Sequence, residues 1–103
     1  MPKDANDGPY LTLAAVVSAR ADLLSSQLGE SERVMLDMDR GRYYGLEAVA
    51  ATIWDAVQSP TTVAEICAVV GQIYEGEPDE IETDTLAFVQ QLFDNNLITT
   101  ISA

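Results

Sequence analysis

Residues 34–57, VMLDMDRGRYYGLEAVAATIWDAV, decide the fold of this chain. Their first half predicts two short strands, at residues 34–38 and 42–46, because apolar and aromatic residues fill both and the turn Asp39-Arg40-Gly41 separates them. Their second half predicts a helix over residues 47–57, where apolar residues recur three and four positions apart. The stretch therefore predicts a β-hairpin that leads directly into a helix.

Two further helices are predicted after this stretch. Residues 62–74 have helical periodicity, and Thr62 with Glu65 predicts a capping box at their start. Residues 79–95 form the third helical pattern, for which Asp79 is the expected N-cap. The asparagine pair at its end favours the left-handed conformation that stops a helix. The apolar residues of this third helix cover more than one stripe, so part of it should face something other than its two neighbours.

The residues before the hairpin extend the sheet. Residues 22–28 predict a strand that pairs with the hairpin, and residues 11–17 predict another strand or an extended arm. The fold class is therefore α+β, a winged helix-turn-helix whose N-terminal antiparallel sheet has three strands, or four with the arm, followed by three helices. Residues 10–103 are expected to form this single domain, and the polar residues 1–9 a disordered tail.

The charge restricts the kind of partner. The chain has 5 Lys+Arg against 17 Asp+Glu, a net charge of -12, and no Lys, Arg or His follows Arg42. Such a surface repels phosphate backbones and anionic lipids, so neither nucleic acid nor a membrane is an expected partner. In a DNA-binding winged helix, the third helix would enter the major groove, but here it is acidic and lacks cations.

The composition also argues against catalysis. Without histidine, the chain has no imidazole base or metal ligand, and Cys67 lies on the apolar stripe of the second helix as a small core residue. The acidic residues 75–84 lack the ligand spacing of a calcium loop. We expect no enzyme activity, no metal and no cofactor. A single cysteine and no apolar window of membrane length favour the cytoplasm.

A sheet edge remains as the candidate site. The strand RYYGL, residues 42–46, has one charge, and a peptide strand added beside it would lie near the extra apolar positions of the third helix. Alternatively, the protein's own N-terminal arm covers this edge. The residue pattern alone leaves both readings open.

Residues 22–98 resemble the PqqD-like family, the peptide-recognition domains of ribosomal peptide modification. The resemblance rests on the opening stretch above, on TVAEICAVV and on DTLAFVQQLFDNNLI; Glu47 and Asn96 replace the usual Asn and Gly. It implies a leader peptide bound antiparallel to the third strand, in a cleft against the third helix. The implied binding residues are Arg42, Tyr43, Tyr44, Gly45 and Leu46 on the strand, and Asp84, Thr85, Phe88 and Gln91 on the helix.

Within that family, the GRYYGL form is most similar to the stand-alone recognition proteins of lasso-peptide clusters. The resemblance implies that the partners are the precursor peptide, a papain-like leader peptidase and an asparagine-synthetase-like cyclase. Two alternatives stay open: a PqqD-type peptide chaperone for a radical-SAM enzyme of pyrroloquinoline quinone biosynthesis, and a winged-helix regulator acting by protein contact. The sequence leaves the oligomeric state open.

Overall fold

The structure is a computed structural model that describes residues 11–21, 23–38 and 40–101. The expected tail at residues 1–9 lies outside this range. Four strands come first, followed by three helices and two further short strands. In chain order these are β1 (Val16–Ala19), β2 (Leu24–Gly29), β3 (Glu32–Asp37), β4 (Arg42–Glu47), α1 (Val49–Ala56), β5 (Thr61–Thr62), α2 (Val63–Ile73), α3 (Pro78–Asp94) and β6 (Ile98–Thr100).

The strands form two antiparallel sheets rather than one. The first has the order β2-β3-β4 and confirms the expected three-stranded sheet ahead of the helices. The second has the order β5-β1-β6, and the sequence did not predict it. Of the two readings left open for residues 11–17, a fourth strand of the first sheet is not observed, because β1 pairs instead with Thr61–Thr62 and Ile98–Thr100.

The hairpin has the geometry that its sequence predicts. Gly41 has a positive φ of 64°, which a glycine adopts without a Cβ clash. Tyr43 and Tyr44 point to opposite faces of the sheet: Tyr43 is 76% exposed, whereas Tyr44 packs against the core together with Leu46. Trp54 is buried in the core.

Each helix contributes to one hydrophobic core, to which strands of both sheets also contribute. α1 packs on β4 and α2, and α2 packs on α3. The largest fully buried apolar side chains are Met35, Ile53, Ile66, Leu97 and Ile98, and α3 contributes the buried Val89 and Leu92. Among the described residues, every helix is too short or too polar to span a bilayer.

A buried ion pair joins the two sheets. The Arg20 Nη1 atom, just after β1, donates to Asp37 Oδ2 at 3.3 Å and to the carbonyl of Asn96 at 2.8 Å. Asp37, at the end of β3, is only 1% exposed. One guanidinium therefore connects β1, β3 and the turn between α3 and β6.

The helix ends agree with the sequence in two places and differ in one. Thr62 and Glu65 form the predicted capping box, and Asn96 takes a positive φ of 62° after α3. The prediction of Asp79 as an N-cap is wrong. The N-cap position is Glu77, two residues earlier, and α3 begins at Pro78, because proline has a fixed helical φ and loses no hydrogen bond at the first position.

Ala48, between β4 and α1, has a strained backbone with φ 51° and ψ -120°. Only glycine adopts this region readily, so we expect Ala48→Gly to raise the free energy of unfolding by about 1 kcal/mol. Chemical denaturation measures the change. The control is Ala68→Gly on the exposed side of α2, which should lower stability by about 1 kcal/mol. Equal losses in both variants would show that Ala48 is not strained.

Candidate functional site

β4 is an open edge of the first sheet. In the order β2-β3-β4, β4 pairs with β3 on one side, and no described strand lies on its other side. Its charges stand at its two ends, Arg42 and Glu47, with Tyr43 to Leu46 between them. Little along this strand therefore opposes the addition of another strand.

The ladder register identifies which backbone groups face outward. Ala48 N–H donates to Ser31 C=O at 2.9 Å, which makes residues 31 and 48 a hydrogen-bonded pair. Because such pairs alternate in an antiparallel ladder, Arg42, Tyr44 and Leu46 direct their backbone groups toward β3. The N–H and C=O groups of Tyr43, Gly45 and Glu47 therefore point away from the sheet, where a further strand can bind them.

Side chains along β4 alternate between two surroundings. Tyr44 and Leu46 point toward the helices and pack against the core, and the Tyr44 hydroxyl is buried without a hydrogen-bond partner. Tyr43 and Glu47 are on the opposite face and are exposed, as is Gly45 between them. A strand added to this edge would present its own side chains alternately to the helices and to the outer face.

An apolar groove begins at Val49, two residues after β4 ends. It has a volume of about 360 Å³ and lies between the start of α1, the end of α2 and the middle of α3. Its lining residues are mostly apolar: Val49, Ala50, Ile53, Val70, Tyr74, Glu75, Ile81, Asp84, Thr85 and Phe88. A cavity of about 150 Å³ is known to hold benzene, so this groove is large enough for a bulky apolar side chain.

The polar groups of the groove are acidic or already hydrogen-bonded. Glu75 and Asp84 are its two charged residues, and both are exposed. The Tyr74 hydroxyl is 3.2 Å from Thr52 Oγ1, which fixes the ring at the end of α2. The groove therefore suits an apolar side chain flanked by a neutral or positively charged residue.

Three of the four helix residues implied by the resemblance line this groove. Asp84 and Phe88 lie along it, and Thr85 is nearly fully buried beside it. Gln91 is absent from the lining; it is exposed, and its carbonyl accepts hydrogen bonds from Asn95. Its role in binding stays a prediction.

Sequence reasoning missed the contributions of the other two helices. Val49, Ala50 and Ile53 have the spacing of core residues, and the sequence contains no signal that one side of α1 remains open. In the sequence, Tyr74 belongs to the second helical pattern and Glu75 to the acidic residues 75–84, and neither pattern predicts a groove. The signal that was present is the run of apolar residues in α3 that exceeds one stripe.

The N-terminal arm packs elsewhere, as far as it is described. Leu11 is buried, and its N–H donates to Gln90 Oε1 at 2.8 Å on α3. Further along, the carbonyls of Leu13 and Ala15 accept hydrogen bonds from the first turn of α2. Leu11 therefore lies against α3, Leu13 and Ala15 are held at the start of α2, and none of these described residues pairs with the β4 edge.

Cys67 has the surroundings of a structural residue. Burial is the main cause that raises the pKa of its thiol, and the negative charge of Glu82 raises it further, against a hydrogen bond with Thr85. A thiol with a raised pKa is a poor nucleophile at neutral pH. Over the described ranges, His, Cys, Asp and Glu side chains form no cluster suited to a metal ion.

The family profile described as coenzyme PQQ synthesis protein D (PqqD) matches residues 32–98, which span β3 to the start of β6. The chain belongs to the PqqD family. This match covers the open edge and all lining residues of the groove. No curated protein matches the chain.

Three solved structures have the PqqD-type fold of this chain. TbiB1 in complex with the TbiA(beta) leader peptide has a TM-score of 0.74 and 23% identity, and the match covers 84% of this chain and 99% of that chain. A lasso peptide synthetase B1 complexed with its leader peptide has a TM-score of 0.69 and 25% identity, covering 81% and 96%. The PqqD truncation of Methylobacterium extorquens PqqCD, described as a RiPP recognition element, has a TM-score of 0.67 and 21% identity, covering 86% and 94%. These similarities confirm the α+β fold, in which an antiparallel sheet precedes three helices.

Proposed function

We propose that this protein binds the leader region of a ribosomally synthesised precursor peptide, of the lasso-peptide class, and delivers it to a leader-processing enzyme. One observation carries the proposal: β4 has an open edge, and an apolar groove between the three helices begins at Val49, two residues after β4 ends. An added peptide strand can use both features at once. Two of the similar structures are complexes of other proteins with their leader peptides, which supports the proposal.

The main chain of the leader would supply binding without regard to sequence. Tyr43, Gly45 and Glu47 each offer an outward N–H and C=O, so an antiparallel leader strand can form six hydrogen bonds along β4. Each bond contributes about 0.5–1.5 kcal/mol after the loss of bonds to water is counted.

The groove would supply sequence preference. An apolar leader side chain that enters it is removed from water against Ile53, Ile81 and Phe88, at a gain of about 1.5–3 kcal/mol for a leucine-sized group. A lysine or arginine beside that residue would face Glu75 and Asp84. A leader with an acidic residue at that place would bind more weakly.

The protein acts without catalysis in this proposal. The chain has no histidine, and its one thiol has a raised pKa. Catalysis therefore falls to partners, which we propose to be a papain-like leader peptidase and an asparagine-synthetase-like cyclase in the cytoplasm. The peptide-binding residues would be Arg42 to Leu46 with Asp84, Thr85, Phe88 and Gln91.

The match to the PqqD profile favours one alternative. In it, the same edge and groove hold the precursor of pyrroloquinoline quinone for a radical-SAM enzyme. Binding titrations separate the two functions. A lasso leader that binds at least tenfold more tightly than a pyrroloquinoline quinone precursor supports the lasso function. Tighter binding of the pyrroloquinoline quinone precursor supports the alternative function instead.

Amide chemical-shift mapping with an unlabelled leader peptide tests the binding mode. We expect the largest shifts in β4, at the start of α1 and along α3 from Asp84 to Phe88. Asp84→Lys should weaken a leader that carries a cation near the groove, whereas Glu80→Lys, the same charge change outside the groove, should leave its affinity unchanged. Shifts confined to β1, β2 and the outer side of α2 would contradict the proposal.

A further inference from the structure

The outer face of the β2-β3-β4 sheet is apolar although no described element covers it. Leu24, Leu36 and Tyr43 are paired directly across the three strands on this face. Leu24 is 58% exposed and Tyr43 76%, and Met38, the first residue after β3, is 66% exposed. The side of the sheet facing the helices already has its core, so this second apolar face is extra to what folding requires. Such a patch on a soluble protein marks an interaction surface.

Two carboxylates oppose each other at one end of this face. Glu32 and Glu47 are directly paired across β3 and β4, an arrangement of like charges that destabilises a sheet. Neither carboxylate forms an ion pair in the described part of the chain. The cation that would balance them is therefore expected on a partner.

The nearby arginines of the chain do not supply that cation. Arg33 lies on the helix-facing side of β3, and its Nε and Nη2 atoms bind the Asp55 carboxylate at 2.9 and 2.8 Å. Arg40 and Arg42 lie at the other end of the strands. Five residue steps along β4 separate Arg42 from Glu47, roughly 17 Å, which is beyond the screening length in physiological salt.

A second copy of the chain fits this face poorly. Each copy has a net charge of -12, so self-association brings together two strongly acidic bodies. A cationic partner avoids that repulsion and neutralises Glu32 and Glu47.

We propose that this outer face is the docking surface for the leader-processing enzyme. The matching surface on the enzyme would be apolar at its centre, with lysine or arginine opposite Glu32 and Glu47. This inference rests on the proposed function. Tyr43 lies on both the docking face and the β4 edge, so the docked enzyme would lie next to the bound leader strand.

The experiment measures two affinities with each variant: for the leader peptide, and for the purified papain-like leader peptidase encoded with this chain, without leader. Glu32→Lys and Leu24→Ser are expected to weaken peptidase binding at least tenfold and to change leader affinity by less than twofold. Glu32→Lys should also melt at or above the wild-type temperature, since it removes the opposed charges. Glu80→Lys on α3 and Ile73→Ser on α2, which is 59% exposed, are the matched controls and should bind the peptidase normally.

The results that differ from these expectations overturn either the docking face or leader binding. Unchanged peptidase affinity in both face variants, or a loss confined to Ile73→Ser, overturns the docking face. A dimer of this chain in sedimentation that Leu24→Ser dissociates would also overturn the docking face, because a second copy would then occupy it. A chain that binds the leader but not the peptidase also overturns the docking face and leaves leader binding intact, whereas binding of the peptidase alone overturns leader binding.

Discussion

An Arg20→Leu variant is expected to lose about 3–5 kcal/mol of folding free energy, because it leaves the buried Asp37 carboxylate without its cation. The Asp37 side chain is 1% exposed and that of Arg20 18%, so water cannot replace the lost partner. The variant also loses the bond that holds the Asn96 carbonyl. Denaturant unfolding followed by circular dichroism measures the loss, which is a large share of the stability of a domain this size.

The double variant Arg20→Leu with Asp37→Leu separates the charge from the packing. If the unpaired carboxylate causes the loss, the second substitution should restore most of the stability. Asp37 also lies opposite Arg42 in the ladder. A loss below about 1 kcal/mol in the single variant would mean that Arg42 takes over the charge, contrary to the prediction.

Tyr43→Pro is expected to weaken leader binding by about 1–3 kcal/mol, or about 5- to 150-fold in Kd. The register directs the Tyr43 N–H away from β3, so proline removes a donor that faces the peptide and leaves the β3–β4 ladder intact. Proline is tolerated at such an edge position. Isothermal titration with the leader measures the loss, after circular dichroism has shown the variant to be folded.

Two variants serve as controls for this prediction. Tyr43→Ala keeps the N–H and removes the exposed ring, so its leader affinity should stay near that of the wild type. Tyr44→Pro removes an N–H that faces β3, so it should lower stability instead. Equal losses of affinity in Tyr43→Ala and Tyr43→Pro would assign binding to the side chain and contradict the main-chain mode.

Local sequence signals predicted the parts of the fold that depend on neighbours along the chain. The hairpin required a glycine with positive φ, and Gly41 has it; the second helix required a cap, and Thr62 with Glu65 forms it. The predicted helix at residues 47–57 is shorter in the structure because Ala48 takes a non-helical conformation. The α+β class followed from the order of these elements.

The second sheet could not be predicted in the same way. β5 and β6 have two and three residues, too few for a strand pattern, and they form only because β1 pairs with both. Residues Val17 and Thr100 are partners although most of the chain separates them. The Arg20–Asp37 ion pair could not be predicted either, because it depends on the tertiary fold and not on a local sequence pattern.

The sequence also predicted only part of the candidate site. The strand at Arg42 to Leu46 and the acidic, apolar α3 were both recognisable from sequence. The open groove was not, because a residue such as Ile53 has the same periodicity whether its helix is covered or exposed on that side. The direction of the free backbone groups also required the observed register.

Side chains along β4 alternate between the two faces of the sheet, and this alternation has a consequence for how precursor peptides change during evolution. If the leader lies along this strand, only every second residue opposite Tyr43 to Glu47 faces the helices, and the residues between them face outward. Outward positions are free to mutate as far as this protein is concerned, while the others are under selection. A family of precursors served by such a protein should therefore show conserved and variable leader positions in strict alternation along this segment.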